Sequence, residues 1–141
     1  MMSRRVVVTG AGVVSSLGIG VDEFWSQCLE GKSAVAGVPE DWPYYGDLHS
    51  RLWSPLPDID PEALGVARAE RLQLDPIAML ALGAAREAIG RAGFTLTSAG
   101  ERSRHFVLSG IDSARAGVFF GTGLGGAITF LRNHTHHLFS K

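Results

Sequence analysis

The segment RRVVVTGAGVVSSLGIG, Arg4 to Gly20, decides how the rest of the chain is read. Three consecutive valines, Val6 to Val8, run into Thr9 and then into glycines at positions 10, 12, 18 and 20. β-Branched residues without polar alternation suit a strand covered on both faces, as in a parallel sheet. Glycines directly after such a strand have two physical uses. Their backbone N–H groups cradle a phosphate at a helix N-terminus, or their missing side chains let the chain turn sharply and let another backbone come close.

The phosphate use demands a spacing that this chain does not keep. A dinucleotide fingerprint reads G-x-G-x-x-G, whereas the chain from Gly10 reads Gly-Ala-Gly-Val-Val-Ser, with Ser15 in the third glycine's place. The T-G-x-x-x-G-x-G form would need glycines where Val14 and Ser16 stand. Glu30 lies near the distance expected of a ribose-binding acid, but inside a predicted helix rather than at a strand end. Gly31-Lys32-Ser33 imitates the close of a mononucleotide loop, yet Ser26 replaces the upstream glycine and a helix precedes it. The glycines are therefore read as architectural, and a Rossmann-type oxidoreductase is kept as a remote alternative.

The chain has 141 residues, enough for one domain that buries about 70% of its extended surface. Thirteen basic and 14 acidic side chains leave a net charge of -1, so neither a nucleic-acid-binding excess nor an acidic tail is present. The arginines at 4, 5, 102 and 104 are read as solvated surface. A single cysteine, Cys28, excludes an intrachain disulfide. The valine run is too short for a signal peptide and no apolar run approaches the roughly 18 residues of a membrane span. The expected compartment is the cytoplasm, with no membrane partner.

Downstream of the opening turn, VDEFWSQCLEGK predicts a helix capped by Asp22 and ended by Gly31, with Phe24, Trp25, Cys28 and Leu29 on an apolar stripe. That stripe makes Cys28 a small buried hydrophobe. Residues 37–61 form an irregular excursion holding Pro39, Pro43, Pro55, Pro57 and Pro61, with Trp42, Tyr44, Tyr45 and Trp53 expected to pin it to the body. LDPIAMLALGAAREAIGRAG is the clearest helix, with Asp75 as cap and Pro76 at the first helical position. Ile77, Leu80, Ala81, Ala84, Ala85, Ala88 and Ala92 recur at three and four residues, a small-residue face that admits another backbone, and Gly93 follows. A short apolar segment at Phe106 to Leu108 breaks a polar stretch. AGVFFGTGLGGAITFL then repeats the opening grammar: a buried strand at Val118 to Phe120, glycines, and a helix. The order favours an α/β architecture.

These segments carry a resemblance. RRVVVTGAGVVSSLGIGVDEFWSQCLEGKSAV is similar to the N-terminus of the β-ketoacyl-acyl-carrier-protein synthases, the condensing enzymes of fatty-acid and polyketide synthesis. LDPIAMLALGAAREAIGRAGF resembles their D-x-x-x-x-x-A-L-x-A-A-x-E-A-L-x-x-A-G-L helix, and AGVFFGTGLGG resembles their G-V-x-x-G-T-G-x-G-G turn. The three motifs stand in the family's order over nearly the whole chain. The resemblance implies the N-terminal half of a thiolase-like fold, layered αβαβα and here incomplete, over residues 1–141. It implies a homodimer or a complementing ketosynthase chain, and an acyl carrier protein as partner of the complete enzyme. No cofactor or metal is implied.

It also implies a chemistry: a cysteine at a helix N-terminus carries the acyl chain as a thioester, and two histidines assist malonyl decarboxylation and the oxyanion. Those residues belong downstream of Lys141 in the family's order, so no catalytic residue is assigned here and the chain is expected to be inactive alone. Cys28, mid-helix, does not replace the nucleophile. His134 and His137 share a helix face, but a metal would need a third ligand, and His49 and His105 lie in irregular stretches. The cluster 134–137 is read as surface or interface, which in the family lies beside the acyl pocket. Leu124, within GTGLGG, matches the aliphatic gate of the acyl tunnel in elongating members, with plain core packing as its other reading. The spacer from Gly93 to Arg115 is longer than the family's usual one. Two readings follow: the N-terminal part of a condensing synthase, or a non-catalytic ketosynthase-like partner. In both, apolar surface around Val118 to Phe120 is left for something else to cover.

Overall fold

A computed structural model describes residues 5–43, 45–67, 71–100 and 106–139. Tyr44, His105 and the arginines at 4, 102 and 104 lie outside the described residues. The chain divides into two units, Val13–Asp60 and the remainder, 1–12 with 61–141.

In the Val13–Asp60 unit, the glycine-rich opening makes a hairpin. β1 (Val14–Ser15) pairs antiparallel with β2 (Gly18–Ile19), Val14 opposite Ile19 and Ser15 opposite Gly18. Ser15 Oγ accepts the Leu17 N–H at 3.1 Å and donates to the Gly18 carbonyl at 3.3 Å. Gly20 then takes φ 93° and ψ 151°, a region essentially reserved for glycine, and its N–H reaches the Val13 carbonyl at 2.8 Å. This bend is the reason for the glycine.

α1 (Val21–Leu29) starts directly from it. Asp22, expected as the cap, instead lies inside the first turn, because Gly20 occupies the cap position and offers no side chain. Glu23 reaches back to accept the Ile19 N–H at 3.0 Å, and both acids suit the positive end of the helix. The C-terminus is as expected. Gly31 takes φ 67°, its N–H bonds the Cys28 carbonyl and that of Lys32 bonds the Gln27 carbonyl, each at 3.0 Å. The apolar stripe, however, is not covered. Cys28 is exposed, with Trp25 and Leu29 at 58% and 72%, so the buried placement of Cys28 is corrected: no residue of α1 is buried.

The excursion is tied by β3 (Ala36–Gly37) and β4 (Leu52–Trp53), Ala36 opposite Trp53. Its aromatics were expected to pin it to the body, but the rings meet one another. Trp42 and Trp53 make an edge contact at 4.6 Å, the Arg51 guanidinium lies 4.7 Å from the Tyr45 ring centre, and Trp53 Nε1 donates to the Gly37 carbonyl at 3.1 Å. Val38 is buried beneath this clasp.

The second unit is organised around α2 (Pro76–Arg91), which begins and ends where the sequence places it. Asp75 Oδ1 accepts the Ile77 N–H at 3.2 Å and Pro76 opens the helix. At the other end Gly93 takes φ 81°, bonding the Gly90 carbonyl at 3.0 Å while Phe94 bonds that of Ile89 at 3.1 Å. The small-residue face meets the opening segment. A Cβ on Gly10 would overlap the Ala88 carbonyl oxygen and stand 2.7 Å from Ala92 N. On Gly12 it would overlap the Ala84 oxygen and stand 2.9 Å from Ala88 N. Here the two glycines and the alanine face are one contact.

Leu64 and Val66 are buried in the turn after Pro61. Arg86 clamps this turn by donating to the Leu64 carbonyl at 2.8 Å, with its guanidinium 5.5 Å from the Phe106 ring centre. β5 (Leu96–Ser98) and β6 (Phe106–Leu108) form an antiparallel ladder, so the short apolar segment is a strand. α3 (Ala127–Phe139) follows the second glycine cluster.

Two expected strands are absent. Val6 to Val8 and Val118 to Phe120 have no ladder partner among the described residues. They are exposed, Val6 at 94%, Val118 at 95% and Phe119 fully. A parallel strand depends on neighbours distant in sequence, and the three ladders among the described residues are all local antiparallel pairs.

Candidate functional site

The second glycine cluster and α3 build one apolar concavity. Gly125 takes φ 59° and donates to Thr122 Oγ1 at 3.0 Å, closing the turn on which Leu124 sits. Gly126 then starts α3, its carbonyl accepting the Phe130 N–H at 2.9 Å. Ala127, Phe130 and Leu131 fall three and four residues apart and so share a helix face. Together with Leu124 and Gly126 they line a cavity of about 390 Å³. None of these side chains titrates. The concavity offers apolar contact and no acid, base or nucleophile.

Asp75 anchors the start of this helix. While Oδ1 caps α2, Oδ2 accepts the Thr129 N–H of the first turn of α3 at 2.9 Å. One carboxylate therefore serves two helix N-termini, where backbone N–H groups lack intrahelical partners. The Thr129 N–H is the main reason its carboxyl is held below the usual value; the Thr129 side chain, the Ile77 N–H and the Arg132 charge add to it, while desolvation opposes.

Leu124 is 82% exposed, so plain core packing does not describe it among the described residues. Phe130 and Leu131 were not singled out as lining residues, although their spacing after the glycine turn carries that signal in AITFL. The second bond of Asp75 had no such signal, since its partner lies 54 residues away. His134 stacks on Phe130 at 5.8 Å with 11° between the rings, and His136 and His137 are exposed on the same helix. Among the described residues, no three His, Cys, Asp or Glu side chains converge as metal ligands. No helix among them is long and apolar enough to cross a membrane. Gly10 and Gly12, weighed as a phosphate cradle, face the backbone of α2.

Comparison with known proteins identifies the family. The model of the β-ketoacyl synthase N-terminal domain matches residues 3–140. A putative polyketide β-ketoacyl synthase 1 of Streptomyces halstedii is 34% identical over 125 residues, 89% of this chain and 26% of that protein. A 3-oxoacyl-(acyl-carrier-protein) synthase 2 of Coxiella burnetii is 28% identical over 134 residues, 95% of this chain and 29% of that protein. The crystal structure of a β-ketoacyl synthase from Burkholderia phymatum superposes with a TM-score of 0.55 at 36% identity, over 66% of this chain and 22% of that one. The chain thus spans about a quarter of the length of such relatives. With an opening segment, a central helix and a glycine turn that match it from residue 3 to residue 140, the chain belongs to the β-ketoacyl synthase N-terminal domain family.

Proposed function

We propose that these residues are the N-terminal part of a β-ketoacyl-acyl-carrier-protein synthase with the layered thiolase-like fold, acting in fatty-acid or polyketide synthesis. In the parent reaction an acyl group waits as a thioester on a cysteine. A malonyl group on the carrier protein loses carbon dioxide, and its carbanion forms a bond to the acyl carbonyl. The thiolate leaves, and the β-ketoacyl chain stays on the carrier.

The role assigned to this chain is acyl contact and scaffold. The observation that supports it is the cavity at Leu124, Phe130 and Leu131, lined by apolar side chains and formed by the turn that resembles the family's gate segment. The reacting groups are assigned to residues beyond these 141. Cys28 lies in the last turn of α1, whereas a thiolate is favoured at a helix N-terminus.

The test is a condensation assay with acyl and malonyl thioesters of a carrier protein. The 141-residue chain alone is expected to give no β-ketoacyl product. A polypeptide in which it is joined to a family C-terminal portion bearing the cysteine and histidines is expected to give product, and Leu124→Trp in it should shift products toward shorter acyl groups. Product from the chain alone would overturn the assignment.

A second reading, a complementing non-catalytic partner in a dimer of ketosynthase chains, is favoured by the unpaired segments at Val6 to Val8 and Val118 to Phe120. Exposed extended apolar backbone is a template for another chain's strand. Co-purification of a stable complex with a separate ketosynthase chain supports this reading, and a monomer with a cooperative melt counts against it.

A further inference from the structure

We propose that Asp75 is a positioning residue for acyl recognition: by holding the first turn of α3 to the start of α2, its carboxylate sets where Leu124 and Phe130 stand in the apolar cavity. The inference rests on the acyl-contact reading above. As a helix cap alone, Asp75 would need only its bond to the Ile77 N–H at 3.2 Å. The shorter bond, 2.9 Å, goes to Thr129, immediately before Phe130. Gly126, which lines the cavity, lies against the same carboxylate; a Cβ there would meet Oδ2 at 3.4 Å. The turn bearing Leu124 is thus fixed at one end by the bond between Gly125 and Thr122 and at the other by Asp75. With Leu124 82% exposed, its own packing does little to hold the turn. A charge-assisted bond to a backbone N–H is stronger and more directional than a neutral one, so it defines the geometry of what it holds.

Serine separates the two roles. It caps a helix about as well as aspartate does, but its shorter side chain and single oxygen do not span to a second N–H. The measurements are amide hydrogen exchange and titration of the 141-residue chain with dansyl-labelled hexanoyl and palmitoyl chains. In Asp75→Ser, the first-turn amides of α3 are expected to exchange about tenfold faster while those of α2 keep their protection. The ratio of the two dissociation constants is expected to change by about tenfold, the scale of one methylene contact in an apolar pocket. Gly31→Ala, a destabilised control in the other unit, should leave that ratio unchanged. Asp75→Asn, which keeps a single acceptor oxygen, should give an intermediate ratio and decides the matter if the serine variant does not fold. Unchanged ratios in the Asp75 variants overturn the positioning role and leave the acyl cavity standing. No binding of either probe to the parent chain, or no effect of Leu124→Trp on binding, removes the cavity reading and the proposal with it.

Discussion

Replacing Gly12 by alanine tests the contact on which the opening segment depends. The new Cβ would overlap the Ala84 carbonyl oxygen, 2.8 Å from the carbonyl carbon and 2.9 Å from Ala88 N. Carbon atoms pack best about 3.5–4.0 Å apart, so clearing the carbonyl carbon alone takes a retreat from α2 of roughly 0.7–1.2 Å, and the nearer oxygen demands more. The obstacles are backbone atoms held by the helix's own hydrogen bonds and have no rotamer to escape into. Overpacking of this kind costs about 1–3 kcal/mol. A smaller term of about 0.4–1 kcal/mol runs the other way, because alanine restricts the unfolded chain. The net expectation is a loss of about 1 kcal/mol. Gly90→Ala is the control, since nothing lies within 4 Å of its added Cβ and it sits inside α2. There the same chemical change should stabilise, by about 0.5–1 kcal/mol. Urea melts of the 141-residue chain followed by circular dichroism read both signs, with α2 amide exchange as the local check. A Gly12→Ala chain as stable as its parent would show that the segment does not lie on α2, and would reopen the phosphate reading of these glycines.

Gly31→Ala should cost about 1–2 kcal/mol through its left-handed φ of 67°, although nothing lies within 4 Å of the added methyl; a melt unchanged from the parent would contradict the turn. Arg86→Met keeps the stem but loses the bond to the Leu64 carbonyl and the cation over Phe106, and should cost about 2–3 kcal/mol, with faster amide exchange around Val66 as the local sign. The carboxyl of Asp75 is held below its ordinary 3.8, chiefly by the Thr129 N–H. A folded value depressed below the unfolded one means the stabilisation is complete above about pH 4 and fades as pH falls through the folded value. Acid titration of the Thr129 amide resonance should therefore show a midpoint below 3.8, and Asp75→Ser should remove that step.

What the sequence made legible was local. Asp75 with Pro76, and Gly31 and Gly93 at the helix ends, are signals read within one or two turns, and each matches its element boundary. Phe106 to Leu108 found its partner within a hairpin for the same reason. Asp22 misled because Gly20 reaches a backbone conformation that aspartate would not, which moves the cap two residues upstream. The excursion's tryptophans were legible as anchors but not in their target, since an aromatic pattern fixes neither the partner nor the direction of packing. In the candidate site, Leu124 stands out in the sequence by its place in GTGLGG, whereas the Asp75 tie depends on a juxtaposition across 54 residues that no local pattern encodes.

The elements left uncovered follow the same division. Val6 to Val8 and the stripe through Trp25, Cys28 and Leu29 were expected to be buried and are exposed, whereas Val118 to Phe120, a strand whose surface was expected to be left for something else to cover, is exposed as well. Apolar patterning states what a segment demands of its surroundings, while burial states whether the described residues meet that demand. For α2 that demand is met only in part: Gly10 and Gly12 bring the backbone of the opening segment against Ala84, Ala88 and Ala92, yet no residue of the helix is buried. For the valine and phenylalanine runs it would take strands on either side, and the ladders that exist are short local pairs. Burying these side chains against another layer would be worth about 1.5–3 kcal/mol apiece for a valine or phenylalanine, each comparable with the strongest turn contact found here. Whatever covers Val118 to Phe120 must also approach the turn bearing Leu124, because only Gly121, Thr122 and Gly123 separate them.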